Sequence, residues 1–118
     1  MPEVTEQTAD PVNAFLDSAV KDHDVVLFMK GTPDSPRCGF SGLAVQILDH
    51  IGVAFVGVDV LQSEALREGI KNYSDWPTIP QLYVKGEFVG GSDIMREMFN
   101  AGELQALMAE KGIGPAED

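Results

Sequence analysis

The chain is short of cysteine, of positive charge and of long apolar runs, and each shortage excludes something. One cysteine, Cys38, stands among 118 residues. A lone thiol closes no intrachain disulfide, so a secreted disulfide scaffold is excluded. Nor can one such chain alone supply the several soft ligands of a zinc or iron–sulfur site. Lysine and arginine number 8 against 19 aspartates and glutamates, a formal net charge of −11. Phosphate backbones and anionic lipid surfaces are gripped by Lys and Arg, so this balance argues against nucleic acid and membrane as partners and serves solubility instead. No apolar run approaches the roughly 18 residues of a membrane-spanning helix. Met1 to Pro11 carries Glu3, Glu6 and Asp10 but no Lys or Arg. Signal and transit peptides are basic, so the expected location is the reducing cytoplasm, with a mature organelle protein that has lost its transit peptide as the alternative.

What remains is an ordinary globular composition, 44% hydrophobic and 23% charged, in a chain of single-domain length. We expect a folded domain over residues 11–112, between a flexible acidic tail at 1–10 and a flexible tail at 113–118. Asp10 followed by Pro11 suits a helix cap, and Val12, Phe15, Leu16 and Val20 recur at helical spacing. Val25 to Met29 is a continuous apolar run, the mark of a strand buried on both faces and paired in parallel. After the loop Gly31 to Arg37, a second helix carries Leu43, Ala44, Ile47, Leu48 and Ile51 and stops at Gly52. Val53 to Val58 reads as a second buried strand, Asp59 to Gln62 as a turn and Glu64 to Tyr73 as a third helix. Gln81 to Val84 and Phe88 to Val89 flank Lys85-Gly86-Glu87 as a hairpin. Ser92 can cap a helix reaching Phe99, and Glu103 to Lys111 forms the last. The layout is α/β, with a four-stranded mixed sheet and helices on both faces.

Cys38 lies where loop meets helix, after Gly31, Pro33 and Pro36. In the first turn, free backbone N–H groups and the helix dipole favour a thiolate by up to about 2 kcal/mol, on the order of 1.5 pKa units. Lys30 and Arg37 can add to that. Such a cysteine is either a reactive thiolate, able to act as nucleophile or iron ligand, or a small core residue. The run Cys38-Gly39-Phe40-Ser41 places serine where a C-x-x-C redox motif has its resolving thiol. Serine cannot close a disulfide, so the two-thiol cycle is unavailable. Its hydroxyl can instead satisfy a backbone group early in the helix.

Cys38-Gly39-Phe40-Ser41, with Met29-Lys30-Gly31-Thr32-Pro33 before it and Trp76-Pro77-Thr78-Ile79-Pro80-Gln81 and Gly90-Gly91-Ser92-Asp93 after it, closely resembles the single-domain monothiol glutaredoxins. The resemblance runs from about Val12 to Leu107. It implies a thioredoxin-like fold, glutathione binding and a [2Fe–2S] cluster shared by two subunits. A cluster needs four ligands, normally thiolates; one Cys38 and one glutathione from each half of a homodimer would supply them. The resemblance makes Lys30 and Arg67 partners of the glycyl carboxylate. Lys71 is either a third cation there or a solvated helix lysine. Ile79, before a cis Pro80, would offer its backbone to the central part of glutathione. Gly91, Ser92 and Asp93 would hold the γ-glutamyl end, and Phe40 would cover one side. Trp76 is expected to pack beside the site, and His23 and His50 to lie on the surface. Relatives often carry cysteine at the position of Ser92, so a regenerating disulfide with Cys38 is absent here. BolA-like proteins and apo iron–sulfur clients are the implied partners. The function expected is cluster storage and transfer in iron homeostasis. The rival is a glutathione-dependent oxidoreductase acting through Cys38, which the length of the Gly31 to Arg37 loop disfavours in this family. A thiol sensor or adaptor is a third reading.

Overall fold

A computed structural model describes residues 10–114; residues 1–9 and 115–118, most of the two expected tails, lie outside it. The centre is β1 (Val25–Met29), whose five residues are all buried. Its side chains alternate between two cores. Val25, Leu27 and Met29 face one cluster, and Val26 and Phe28 face the other. On one side β1 pairs in parallel with β4 (Val56–Asp59). On the other it pairs antiparallel with β5 (Gln81–Val84), which continues into β6 (Glu87–Gly90). The order is β4-β1-β5-β6, the mixed sheet anticipated above.

Helices close both faces. Helix α1 (Pro11–Asp22) starts where Asp10 Oδ1 accepts the N–H of Val12 at 3.1 Å and of Asn13 at 3.2 Å. It buries Leu16 and Val20 against Val26, Phe28 and Ile70 of α3 (Glu64–Ser74). Helix α2 (Gly39–Ile51) is the crossover from β1 to β4 and ends on Gly52 with φ +88°. It shares the second core with Met95 of α4 (Ser92–Asn100) and Leu104 and Met108 of α5 (Glu103–Glu110). Ile113 still packs against that core. Among the described residues no helix is long and apolar enough to cross a membrane.

Four local expectations are corrected. Phe15 is 49% exposed: it sits about 100° around the helix from Leu16, outside the Leu16–Val20 row. The strand expected at Val53 to Val58 begins at Val56 and is an edge strand, half-buried with Val56 exposed, because only β1 borders it. The segment from Gly31 is not a plain loop. It forms a miniature antiparallel pair, β2 (Gly31–Thr32) with β3 (Ser35–Pro36). Gly31 turns it with φ +91°, and a Cβ there would lie 2.5 Å from the Ser35 carbonyl oxygen. Finally, Gly91 rather than Ser92 caps α4, and Ser92 is its first residue.

Candidate functional site

The carboxyl end of β1, the start of α2, the flank of α3, the Trp76–Pro80 connection and the start of α4 converge on one groove of about 390 Å³. That is the size of a small-molecule pocket. Of the residues singled out in the sequence, Lys30, Cys38, Phe40, Arg67, Lys71, Ile79, Pro80, Ser92 and Asp93 line it. Gly91 stands directly behind. A Cβ on it would be 3.2 Å from the Pro80 carbonyl oxygen, so the backbone itself walls the groove there. Pro77 and Thr78 line it as well.

Cys38 is the N-cap of α2, one position ahead of the first turn, with extended backbone (φ −152°, ψ 138°) and a half-buried free thiol. No close capping bond forms to the sulfur. Its pKa is nevertheless lowered, most by the Ser41 N–H and, against a smaller opposing effect of burial, by the Phe40 N–H and the charge of Lys30. These are the free amides of a helix start acting on an anion. Cys38 belongs to neither core cluster and lines the groove instead. Ser41 is fully buried, and its hydroxyl accepts the Lys30 N–H at 3.0 Å. The hydroxyl satisfies a backbone group and at the same time ties the thiolate's helix to the end of β1.

The groove is a basic spot on an acidic protein. Three of the eight basic residues line it, Lys30, Arg67 and Lys71, against one acid, Asp93. Lys30 has no ion pair among the described residues, whereas Arg67 and Lys71 reach Glu64 and Glu68 only at 3.8 and 3.9 Å. Arg67 Nε is buried with no hydrogen-bond partner. Its desolvation is a cost that the chain's own groups leave uncompensated. At the opposite end Asp93 is exposed and 3.6 Å from Arg96, beside the N-terminus of α4, which no side chain caps. Phe40, 61% exposed, stands over the thiol side.

The rear wall is held by a residue to which the sequence reading assigned no role. Gln81, fully buried at the start of β5, donates from Nε2 to the carbonyls of Trp76 at 3.1 Å and Thr78 at 3.0 Å. It fixes the Trp76–Pro80 connection, in which the Ile79–Pro80 bond is cis. A Gln after a proline-punctuated loop is the only sequence signal for this. Trp76 packs beside the groove on Phe88, with ring centroids 5.6 Å apart. His23 and His50 are exposed, and His50 meets the Phe99 ring edge-on at 5.3 Å. Among the described residues there is no group of three or more His, Cys, Asp or Glu side chains that could hold a metal ion.

Residues 25–89 match the glutaredoxin family model. The chain is 50% identical to a protein named probable monothiol glutaredoxin 2 from Rickettsia typhi, over 82% of this chain and 87% of that one. It is 57% identical to one named monothiol glutaredoxin-5, mitochondrial, from Schizosaccharomyces pombe, over 80% of this chain and 67% of the other. That name places a relative in an organelle, so the similarity lends no weight to a cytoplasmic location. The solution structure of reduced poplar apo GrxS14 is 50% identical and superposes with a TM-score of 0.77, covering 86% of this chain and 94% of that one. A buckwheat glutaredoxin solved with glutathione shares the fold at a TM-score of 0.77 but only 19% identity, with 97% and 99% coverage. The anticipated thioredoxin-like fold is thus found, and the chain belongs to the glutaredoxin family, on its monothiol branch.

Proposed function

We propose that this groove binds glutathione and that the protein, as a homodimer bridged by two glutathiones, stores a [2Fe–2S] cluster and delivers it to apo-proteins in iron homeostasis. One observation carries the reading: the only cysteine opens onto a groove that three of the eight basic residues, Lys30, Arg67 and Lys71, also line. Glutathione offers two carboxylates, an ammonium, a peptide-like centre and a thiol. Lys30 and Arg67, with Lys71 beside them, suit the glycyl carboxylate, since a guanidinium fork matches a carboxylate. The Ile79 backbone suits the peptide-like centre, next to Pro80. The N–H groups that begin α4 at Gly91 and Ser92 suit the γ-glutamyl carboxylate, and Asp93 its ammonium. Phe40 would cover the thiol side.

The donor set fits the cargo only in pairs. One chain presents one thiolate, and four are needed. Two Cys38 and two glutathione thiolates complete the count, so dimer, glutathione and cluster stand or fall together. Partners able to take one protomer's place, such as BolA-like proteins, and apo iron–sulfur clients would meet the cluster at this face. The second reading, reduction of glutathionylated proteins, is favoured by the low thiol pKa. In it Cys38 attacks the mixed disulfide, the client thiol leaves, and a second glutathione thiolate attacks the Cys38–glutathione bond to release glutathione disulfide. No second protein thiol speeds that last step, because Ser41 occupies the position, so weak or no turnover is expected.

The test is anaerobic reconstitution with iron and sulfide, with and without glutathione, followed by visible absorption and sedimentation. A coloured dimer that forms only with glutathione and is lost in Cys38→Ser supports the carrier. A colourless monomer in both conditions, with turnover of a glutathione mixed disulfide, would overturn it in favour of the enzyme.

A further inference from the structure

Strands β1 and β4 end side by side, Met29 opposite Asp59. Both chains leave the sheet at that level. One continues through Lys30 into the β2–β3 pair and on to Cys38. The other continues through a single 3-10 turn, Val60–Gln62, into α3, which carries Arg67. Between the two departing chains lies one carboxylate. Asp59 Oδ1 accepts the N–H of Gly31 at 2.9 Å and the N–H of Leu61 at 2.9 Å, and Oδ2 accepts Gln62 Nε2 at 3.2 Å.

We propose that Asp59 is a positioning residue for the site: by bonding one amide of each departing chain it sets Lys30 and Arg67 at the spacing their common anion requires. The reading of that anion as a glutathione carboxylate rests on the function proposed above.

The remaining bonds around Lys30 show why this one anchor matters. The Lys30 N–H is taken by Ser41 Oγ at 3.0 Å, and its carbonyl by the Arg37 N–H at 2.8 Å. The next amide, Gly31, belongs to Asp59. Three partners from three places in the chain therefore fix the Lys30 peptide groups, and Asp59 ties them to the 3-10 turn that leads into α3. The same strand seats the loop a second time. Pro33 rests over Gly57, where a Cβ would lie 2.5 Å from Pro33 Cγ. The anchor suits an anion. Partial burial pushes the Asp59 pKa up, but the Gly31 and Leu61 N–H groups, with Gln62 and the charge of Arg37, together outweigh it and the net shift is downward. Asp59 does not line the groove. It acts through the residues it holds.

The test uses the full chain with Asp59→Ala and Asp59→Asn. Three readouts are the pH profile of Cys38 alkylation by iodoacetamide, the calorimetric Kd for glutathione and the melting temperature. Asp59→Ala is expected to weaken glutathione about tenfold and to move the alkylation profile toward ordinary thiol values. Asn keeps an oxygen for both amides, so Asp59→Asn is expected to restore both readouts to within about twofold of wild type. A lower melting temperature with unchanged Kd and alkylation profile would overturn the proposal, because the residue would then be merely structural. If Asp59→Ala does not fold, Asp59→Glu keeps the charge and the acceptor but adds a methylene; a wild-type Kd and profile in that variant would overturn the proposal equally. Should the wild type itself fail to bind glutathione, the function proposed above falls, while the alkylation profiles still judge Asp59.

Discussion

Replacing Arg67 by alanine separates a ligand-binding cation from a surface one. In the free protein this guanidinium contributes little. Its one ion pair, with Glu64, is 3.8 Å long and the glutamate is 82% exposed, a contact worth about 0–1 kcal/mol. Its Nε is already buried without a partner, so the desolvation cost is present before any ligand arrives. A carboxylate docking on the accessible end of the guanidinium gains a charge-assisted hydrogen bond of about 1.5–3 kcal/mol, which corresponds to a roughly ten- to 150-fold change in Kd. Arg67→Ala should therefore raise the glutathione Kd by that factor while the thermal midpoint moves by no more than about 1 kcal/mol of stability allows. Arg67→Lys keeps the charge but loses the planar fork, and should fall between the two. Calorimetric titration of apo-protein with glutathione, paired with a thermal melt, gives both numbers. An unchanged Kd would refute the reasoning outright. A loss of stability as large as the loss of binding would show that Arg67 holds the fold rather than the ligand.

Three further outcomes are expected. The lowered Cys38 pKa means the unfolded chain holds more protons between the folded value and about 8.5; the resulting stability is fully present above 8.5 and is lost as pH falls through the folded value, which a pH series of denaturant melts on wild type and Cys38→Ser will show. Ser41→Cys should raise turnover of a glutathione mixed disulfide by supplying a resolving thiol, yet lower stability by about 1–3 kcal/mol, because the buried Lys30 N–H loses its oxygen acceptor; unchanged turnover would mean that the missing thiol does not limit catalysis. Tyr73, pushed up to about 12 by burial and by the hydrogen bond it donates to Asp17 at 3.0 Å, contributes stability that is whole below about pH 10 and lost as pH rises through 12; Tyr73→Phe should cost about 0.5–1.5 kcal/mol at neutral pH and flatten that alkaline limb.

Elements whose cause is local were legible in the sequence. Asp10 and Pro11 start α1, five apolar residues in a row make β1, and Gly52 ends α2, because caps, periodicity and left-handed stops act within a few residues. What the sequence hid depends on neighbours brought from afar. Val53 to Val58 is apolar enough for a buried strand, but burial of β4 is decided by having one partner strand instead of two. Phe15 fits the helical spacing, yet the packing arc against α3 and β1 is narrower than the apolar arc of α1. Most residues that line the groove could be named from compact motifs, whereas Arg67 and Lys71 could be named only through the family resemblance. Gln81 and Asp59 were seen only as parts of a strand and a turn, since what they hold, two carbonyls in one case and two amides in the other, becomes visible when separate segments converge.

The position of β1 has a dynamic consequence. Every one of its side chains belongs to one core or the other, so neither core can open without disrupting it. Its amides should exchange with deuterium only through global unfolding, whereas those of the edge strand β4 and the helix ends exchange through smaller openings. Lys30 follows directly on β1, at the rim of the most protected segment of the chain. The thiol side of the groove should therefore rest on the last part to come apart.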